Sequence, residues 1–389
     1  MHSKKGAPFL RSGQRVEMLT VADIVKIIEE LAPPGLAVPQ DPIGLQSGSG
    51  QWEIERLMIA LDADHRTIRQ AADAGAGMLV SHHPLIYGPL ASIDPESPVG
   101  RAVAYSLEFK VAVYCAHTNL DAAKNGINNS LAVLLGLADL TALAGRTPEN
   151  FKIAVFVPVN SLDKVRTAAF EAGAGKIGAY TRCSFASSGI GTFMGSEDTD
   201  PAVGSPGRFE EASELRLEMI ANSDVLDSVI GAIRGVHPYE EPAIDIYSLH
   251  GSGMGEGIGI IGSLPEETTV GKLANTLIDL FETGSVTVVG EEGRKIQRVA
   301  ICSGSGASLV GTASAGGADA YLTGDMKYHD ARQADELDLP VIDFGHFAPE
   351  RYGMKEFGKT LNTALKKTGA EIEIFYAQEE DPFKVIIRA

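Results

Sequence analysis

The sequence predicts an α/β protein whose main domain is interrupted by an inserted α+β domain. At both ends of the chain, short apolar runs alternate with amphipathic segments, as they do in parallel sheets covered by helices. Between them, residues 150–250 show the order β-α-β-β-α-β, which is that of a ferredoxin-like unit. We therefore expect residues 1–149 and 251–389 to form one discontinuous core around the insert.

The first segment should begin with a helix capped by Thr20, because apolar residues recur at helical spacing from Val21 to Leu31. Pro33 and Pro34 should end this helix. The elements expected next are a strand at 56–61, a helix at 66–74, a strand at 77–81, a helix at 99–109, a strand at 111–115 and a helix at 130–143.

The insert and the last segment follow the same rules. The insert should contain a strand at 151–158, a helix at 162–172, a Gly/Ser-rich hairpin region at 173–207, a strand at 215–220, a helix at 225–234 and a strand at 243–249. A glycine-rich run at 251–259 returns the chain to the core. The last segment should contain a helix at 270–281, strands at 285–289 and 299–302, a helix at 307–315, and strands at 320–322 and 340–344.

Size and charge restrict the class of protein. A chain of 389 residues is longer than one core usually supports, and 44% hydrophobic with 22% charged residues is typical of a folded globular protein. A formal net charge of -18 argues against a nucleic-acid adaptor, because such binding depends on basic side chains. A small anionic substrate remains possible, since a bound metal reverses the local field.

The three cysteines and the hydropathy pattern predict a cytoplasmic protein. Cys115, Cys183 and Cys302 are too few and too far apart for a disulfide framework or a thiolate zinc site. Residues 1–16 lack the apolar core of a secretory signal, and no segment reaches membrane-spanning length.

A pair of histidines follows one predicted strand directly. His82 and His83 come after the apolar run at 78–80, at the carboxyl end of a presumed parallel strand, where open α/β sheets bind their ligands. Where a strand passes into a loop its alternation breaks, so both rings can turn inward. An isolated His-His pair is more often a strand end or a core feature than a ligand pair. The conclusion therefore depends on what the other strand ends carry.

Two further strand ends carry similar residues. The motif from His117 to Asp121 follows the strand at 111–115, and His117 can be a ligand, a partner of a ligand or a proton carrier. Asp121 alone would be read as a helix cap, but beside other ligands we favour a metal role. After the strand at 340–344, His346 and Glu350 are four residues apart and share a helix face if Pro349 lies in the first turn.

Together these elements predict a dinuclear metal centre. The five predicted ligands are His82, His83, Asp121, His346 and Glu350. A mixed nitrogen and oxygen set suits Zn, Mn, Fe, Co or Ni better than Mg or Ca. Five ligands are too many for one tetrahedral site, and a carboxylate can bridge two divalent ions, so we expect two.

Three other motifs have competing interpretations. Asp325 and His329 follow another strand and either add an acid and an imidazole to the centre or form a turn with a helix cap. The run 303–306 (Ser-Gly-Ser-Gly) could cradle an anion, but without a Walker lysine it is better read as a plain turn. The loop at 237–242 in the insert is interpreted as a structural or interface loop.

The motifs as a set resemble those of the NIF-three-like family, the dinuclear-metal-centre proteins also labelled GTP cyclohydrolase I type 2 homologues. The resemblance covers most of the chain. It is carried by Leu31-Ala32-Pro33-Pro34, Asp41-Pro42-Ile43-Gly44-Leu45-Gln46, Ser81-His82-His83-Pro84-Leu85-Ile86, Ala116-His117-Thr118-Asn119-Leu120-Asp121, Thr323-Gly324-Asp325, and Gly345-His346 with Glu350.

The resemblance implies that the same five residues are the metal ligands. It also implies a two-lobed fold assembled as a toroidal homohexamer with interior metal sites, and an insert similar to the PII and CutA signalling proteins. Two departures stand out: Pro42 follows Asp41 where relatives often have Asn, and 347–349 (Phe-Ala-Pro) replaces a more polar stretch. The second changes the wall beside the metals, so a relative's substrate does not transfer directly.

Two functions fit this sequence. The first is a metal-dependent hydrolase, in which an activated water attacks a small nucleotide or heterocycle and His117 or His329 carries protons. The second is a metal-binding scaffold or regulatory hexamer without turnover, which the insert would suit. Ligand-preserving substitution of the two histidines discriminates between them, because storage should not need them.

Overall fold

A computed structural model describes residues 19–146, 150–178, 180–249 and 256–386. The expectations for residues 1–16, and for most of the glycine-rich run at 251–259, lie outside this part of the chain. The chain divides into two compact units, Gly145–Glu256 and the combination of Met1–Ala144 with Gly257–Ala389. The predicted α/β class is confirmed, with helices and strands alternating through the second of these, here called the core unit.

The core unit contains two sheets. The first has the order β1-β4-β3-β2-β15; β2, β3, β4 and β15 run parallel, and β1 is antiparallel to β4. Its strands are β1 (Gly44–Ser47), β2 (Arg56–Ala60), β3 (Met78–Ser81), β4 (Ala112–Cys115) and β15 (Glu373–Tyr376). Every residue of β3 and β4 is buried, which is why these strands are continuous apolar runs in the sequence.

The second sheet has the order β11-β14-β13-β12-β10-β5. Strands β12, β13 and β14 are parallel, and β10 and β11 pair antiparallel on either side of them. Its strands are β5 (Ala138–Arg146), β10 (Glu256–Thr269), β11 (Thr287–Val289), β12 (Lys295–Ile301), β13 (Ala320–Thr323) and β14 (Val341–Asp343).

Helices pack on both faces of each sheet of the core unit. The largest buried cluster joins one face of the first sheet to one face of the second through α1, α5, α8 and α11. Helices α2 and α3 cover the other face of the first sheet, and α9 and α10 cover that of the second. The helices are α1 (Val21–Leu31), α2 (His65–Asp73), α3 (Pro98–Glu108), α4 (Thr118–Ala122), α5 (Ile127–Leu134), α8 (Val270–Phe281), α9 (Val310–Ala315), α10 (Tyr328–Glu336) and α11 (Phe347–Lys367).

The expected helix at 130–143 is wrong. Helix α5 ends at Leu134, and Gly136 adopts a left-handed conformation (φ +66°) with its N–H donating to Val133 O at 3.0 Å. Residues 138–146 form β5, the edge strand beside β10. Three leucines at intervals of three, Leu137, Leu140 and Leu143, imitate helical spacing, but pairing with β10 decides the local structure. The expected helix at 307–315 is also shorter, since Ala307–Leu309 is a 3₁₀ turn before α9.

The inserted unit has the element order β-α-β-β-α-β. Its sheet is wholly antiparallel in the order β7-β8-β6-β9, and α6 and α7 share a buried cluster with it. The elements are β6 (Asn150–Pro158), α6 (Leu162–Glu171), β7 (Ser184–Met194), β8 (Phe209–Asn222), α7 (Ser223–Val236) and β9 (Ile244–Leu249).

In the described part of the chain, no helix is both long enough and apolar enough to cross a membrane.

Candidate metal centre

The two adjacent histidines sit where β3 ends. The N–H of His82 donates to Ala60 O at 3.3 Å, and that of His83 donates to Leu61 O at 2.8 Å. The Ser81 hydroxyl bonds back to His83 O at 2.9 Å. The two ring centroids lie 5.2 Å apart, so the alternation of the strand has broken and both rings reach one cluster. His82 is fully buried, whereas the side chain of His83 is 24% exposed.

Asp121 lies inside the short helix α4 that follows β4. The residue at the N-cap of this helix is His117, so Asp121 is not the cap. Its Oδ1 is 3.6 Å from His82 Nε2, and the ring of His117 lies 5.0 Å from that of His82. The strand end at β4 therefore delivers one carboxylate and one imidazole to the cluster.

Helix α11 supplies the remaining pair. It begins at Phe347, with His346 at the N-cap and Pro349 in the first turn. This puts Glu350 one turn after His346, with Oε2 2.9 Å from His346 Nε2. The Glu350 side chain is 4% exposed, and its other oxygen, Oε1, is 3.7 Å from His82 Nε2. One carboxylate thus faces ligands from two strand ends.

Three groups of potential ligands share members. In each group the ligand atoms lie within 4.8 Å of one another, a distance at which one ion can bind all three. The groups are His82 with Asp121 and Glu350, His83 with His346 and Glu350, and His82 with His83 and His117. All five predicted ligands, and His117, are therefore brought together.

Each imidazole of the cluster is held by its Nδ1 atom. When Nδ1–H donates to an acceptor, Nε2 carries the free lone pair, and this is the usual arrangement of metal-binding histidines. The acceptors are Asp62 for His83, Asp41 for His117 and Asp325 for His346, each at 2.8 Å, and the backbone oxygen of Ala116 for His82 at 2.9 Å. The protein thus directs four Nε2 atoms toward the same cluster.

The Nε2 atoms of His83 and His346 both approach the Glu350 carboxylate, and no hydrogen-bond donor lies between these atoms when each Nδ1 carries the ring proton. His83 Nε2 is 3.1 Å from His346 Nε2, and both nitrogens lie within 3.1 Å of Glu350 Oε2. With Nδ1–H bonded elsewhere, these three atoms present only lone pairs to one another. A proton or a metal cation among them is required.

The deeper part of the cluster has unsatisfied polar atoms. His82 Nε2 and Asp121 Oδ1 are buried without a hydrogen-bond partner, which is costly unless a ligand occupies the site. Their 3.6 Å separation is too long for a hydrogen bond and close to the roughly 3.3 Å between two tetrahedral ligands of a zinc-sized ion. The donor set therefore fits a divalent transition metal.

The electrostatics also favour a cation. Burial raises the pKa of Asp121 to about 6 despite the His82 imidazole nearby. Burial would lower the pKa of His83, but hydrogen bonds to Asp62 and Glu350 raise it to about 10. The Glu350 hydrogen bond likewise raises the pKa of His346 to about 9. Without a metal the imidazoles hold protons that balance the buried carboxylates, and a bound metal would displace them.

Gly304 forms one wall of this cluster. It is left-handed (φ +62°), and a Cβ at this position would lie 2.2 Å from Glu350 Oε1 and 3.5 Å from His346 Nε2. The Ser-Gly-Ser-Gly run therefore brings bare backbone against the carboxylate. Its place at the end of β12 explains this, since that strand is parallel to β13 and β14 and ends at the same edge.

Three other predicted positions have different surroundings. His329 is exposed on α10, where its ring centroid lies 5.5 Å from that of Tyr328, and it belongs to none of the ligand groups. The N-cap of α10 is Lys327, so Asp325 is not a helix cap and instead holds His346. In the inserted unit, His237 bonds Phe156 O and the Tyr239 N–H, which accounts for both ring nitrogens.

Sequence reasoning missed Asp41, Asp62 and Glu379. Glu379 accepts hydrogen bonds from the N–H groups of Leu61 and Asp62 at 2.8 to 3.1 Å. These bonds fix the backbone at Asp62, whose side chain holds His83. Asp62 has a sequence signal, because it follows β2 just as the ligands follow their strands. Asp41 and Glu379 lie 76 and 317 residues from the groups they hold, and sequence spacing gives no indication of either contact.

Replacing Asp62 with asparagine should weaken metal binding about 10- to 100-fold while leaving the fold intact. The asparagine amide can still accept a hydrogen bond from His83 Nδ1–H. The substitution removes the negative charge that makes His83 Nε2 a stronger metal ligand. Competition with a chromophoric chelator measures the affinity. Asp73→Asn is the control, since among the described residues the Asp73 side chain pairs with Arg69 alone, on the surface. Equal affinities in the two variants would contradict this role for Asp62.

A large cavity adjoins the cluster within the core unit. Its volume is about 1,080 Å³, and His83 and His346 lie in its wall. Phe281, Phe347 and Phe383 add aromatic surface. The cluster is thus accessible to a small molecule from the side of His83.

Fold and site together define a class of protein: an α/β protein in which strand ends of two sheets bring histidines and carboxylates into a cluster that could bind a metal ion. The chain belongs to the Duf34/NIF3 (NGG1p interacting factor 3) family, whose model matches residues 19–382. The family resemblance seen in the sequence is thereby confirmed.

Relatives match over nearly the whole length. A protein of Halalkalibacterium halodurans named GTP cyclohydrolase 1 type 2 homolog is 36% identical over 367 residues, which cover 93% of this chain and 98% of that protein. A Bacillus subtilis protein of the same name is 37% identical over 362 residues, covering 92% and 97%. The crystal structure of a Bacillus cereus protein related to NIF3 has a TM-score of 0.75 at 36% identity, covering 95% and 100%.

Proposed function

We propose that the cluster holds two divalent transition-metal ions and that the protein is a metal-dependent hydrolase of a small nucleotide or heterocycle. One ion would be held by His82, Asp121 and Glu350, and the other by His83, His346 and Glu350. The two oxygens of Glu350 face different ligand groups, as expected of a bridging carboxylate. The ions would be Zn, Mn, Fe, Co or Ni, given the mixed nitrogen and oxygen donors.

One observation carries this proposal. His83 Nε2, His346 Nε2 and Glu350 Oε2 approach one another within 3.1 Å, while the Nδ1 atoms of both rings are already bonded to carboxylates. A structural ion pair would need only one imidazole for one carboxylate. In a typical metal site, by contrast, the Nδ1 atom of each imidazole is hydrogen-bonded to a carboxylate or carbonyl, and the Nε2 atoms point to a common position.

The site and the cavity beside it support the proposed reaction class. Two divalent ions held by these residues would supply Lewis-acid catalysis and a nucleophile at neutral pH. The cavity of about 1,080 Å³ is at the upper end of the range for small-molecule sites. The relatives are named GTP cyclohydrolase 1 type 2 homologs, which supports a nucleotide or another heterocycle as the substrate.

His117 would be the group that moves a proton. Its Nδ1 is fixed by Asp41, whose carboxylate also accepts the Thr118 N–H at 3.1 Å and the Thr118 hydroxyl. The ring lies 5.0 Å from His82 and 5.9 Å from His83, and its side chain is 21% exposed. It can exchange protons with solvent from the edge of the cluster. His329, exposed on α10, lacks such a setting.

His117→Gln should keep the metal and lose roughly 10²- to 10⁴-fold in turnover, the usual contribution of a general acid or base. The assay is hydrolysis of a nucleotide panel by metal-loaded protein, with metal content determined on the same samples. His329→Gln is the matched variant and should change turnover less than about twofold. Loss of metal from His117→Gln would make His117 a ligand instead, and unchanged turnover would exclude it as the proton carrier.

The second candidate function is a metal-binding scaffold or regulator without turnover. The inserted unit supports it, because hydrolysis at the core unit does not require a second unit. Two metals per chain without hydrolysis of any nucleotide in the panel would favour this function over the first.

Three further expectations remain proposals. The inserted unit would be a ferredoxin-like domain similar to PII and CutA proteins, supported by its β-α-β-β-α-β order and antiparallel sheet. The assembly would be a homohexamer, which exposed apolar residues on β7 such as Phe185 and Ile190 would help to form. The protein would act in the cytoplasm on a small molecule and bind neither nucleic acid nor membrane, as its charge of -18 suggests.

A further inference from the structure

Arg351 is a cation in the cavity wall that forms no ion pair within the described part of the chain, although its charge acts on Glu379. It follows Glu350 on α11 and is half-buried, with its guanidinium carbon 5.7 Å from the centre of the Phe347 ring one turn earlier. It forms no hydrogen bond or ion pair with any residue that the structure describes. A guanidinium has five donors, and those of Arg351 are left to solvent or to a ligand.

Apart from Arg351 and the imidazoles of His83 and His346 in the cluster, the charged side chains of the wall are carboxylates. Seven carboxylates line the cavity, among them Glu282, Glu380 and Asp381, and Arg351 is the only lysine or arginine in the described lining. Several of these carboxylates accept hydrogen bonds from backbone N–H groups or ring nitrogens, and these bonds fix their orientation. Away from the cluster, the wall thus offers one point of attraction to an anion, at Arg351, and repulsion around it.

We propose that Arg351 binds an anionic group of a small ring-containing substrate and that the part of the cavity away from the cluster accepts one such group. This rests on the proposed function in taking the cavity to be the substrate site. The anionic group is a carboxylate or a phosphate ester, since the planar guanidinium forms two parallel hydrogen bonds with either. A second anionic group that lies away from the cluster would face carboxylates instead of a cation.

The position of Arg351 suits this role. Its contact with the Phe347 ring reduces the freedom of a long side chain before a ligand arrives, so less entropy is lost on binding. Because Glu350 precedes it on the same helix, the helix fixes the anion site relative to the cluster. A ring held between the two would contact the aromatic wall that Phe281 and Phe347 provide.

A purely structural role must give a different result. The charge of Arg351 lowers the pKa of Glu379, although burial dominates and keeps that pKa raised. Glu379 fixes Asp62, and through it His83. If Arg351 acted only through Glu379, its loss would weaken metal binding and affect all ligands equally. A ligand-binding role predicts unchanged metal content and an effect confined to anions.

The experiment compares ligands that share one aromatic ring and differ in the charge of their substituents. Benzamide, benzoate, isophthalate and phenyl phosphate are titrated by calorimetry into the full-length protein with and without metal, and metal content is measured on the same samples. The variants are Arg351→Gln, Arg351→Lys and, as a control, Lys355→Gln, which removes a charge one turn further along α11 and outside this cavity.

Benzoate or phenyl phosphate should bind the wild type at least about tenfold more tightly than benzamide, as expected for a charge-assisted pair. In the metal-free protein, isophthalate should bind no more tightly than benzoate. Arg351→Gln should abolish the advantage at unchanged metal content, Arg351→Lys should retain part of it, and Lys355→Gln all of it. The tighter of benzoate and phenyl phosphate identifies the anion.

The inference is overturned if benzoate and phenyl phosphate bind no better than benzamide, if isophthalate binds the metal-free protein clearly better than benzoate does, or if Arg351→Gln retains the advantage. It is also overturned if Arg351→Gln loses metal and all ligands together. A protein that binds no metal but still selects benzoate or phenyl phosphate through Arg351 would refute the proposed function and leave this inference standing.

Discussion

Glu350→Gln is expected to lower the affinity for metal at least about a hundredfold and to abolish turnover, the largest effect of any single substitution in this chain. The change keeps shape and size but removes the charge that three imidazoles face. Glu350 Oε2 lies 2.9 Å from His346 Nε2 and 3.1 Å from His83 Nε2, and Oε1 lies 3.7 Å from His82 Nε2. Both proposed ions therefore lose a ligand in one step. Elemental analysis after dialysis against a metal buffer gives the number of ions per chain.

Glu356→Gln is the matched control on the same helix. Glu356 pairs with Lys359 on an exposed face, and such pairs contribute little to stability. The Glu356→Gln variant should keep the full metal content and the unfolding temperature of the wild type. If Glu350→Gln retained two ions with near-normal affinity, Glu350 would not be a ligand and the bridged arrangement would be wrong.

The residues of the cluster could be predicted from the sequence because each lies within a few residues of a buried strand. Parallel strands covered on both faces are visible as apolar runs, and their carboxyl ends meet at one edge of a sheet. The residues after β3 and β4 could thus be assigned to one edge of the first sheet. Strand β14 belongs to the second sheet, so only the type of its residues, and not the position of the strand, linked them to the others. Short edge strands such as β1 and β15 were missed, since four residues on a partly exposed edge give no clear pattern.

The groups that orient the ligands could not be predicted in the same way. Asp41 lies before β1 and not after a strand. It reaches His117 because β1 is antiparallel to β4, with Gly44 opposite Cys115, so that the amino end of one strand adjoins the carboxyl end of the other. Glu379 lies shortly after β15, and its carboxylate accepts the N–H of Leu61. Such contacts follow from the pairing of strands, which one sequence does not reveal.

Gly304→Ala is the second substitution expected to have a large effect, and it should separate metal binding from folding. The new Cβ would lie 2.2 Å from Glu350 Oε1, well inside van der Waals contact. The backbone cannot retreat, because Gly304 O accepts the N–H groups of Gly324 at 3.0 Å and Gly306 at 3.1 Å. The carboxylate, as the end of a flexible side chain, must move instead. We therefore expect an intact fold and metal affinity at least about tenfold lower, since ligands must be held to within about 0.5 Å.

Gly317→Ala isolates the backbone contribution. Gly317 has a similar left-handed conformation (φ +74°), but nothing lies within 4 Å of a Cβ there. Both variants should lose about 1–2 kcal/mol of unfolding free energy, the penalty of placing an L side chain in this region. Only Gly304→Ala should lose metal, as measured by chelator competition beside denaturant unfolding of the metal-free proteins. Equal metal affinities would mean that Glu350 tolerates displacement, and its position against Gly304 would then have no bearing on the centre.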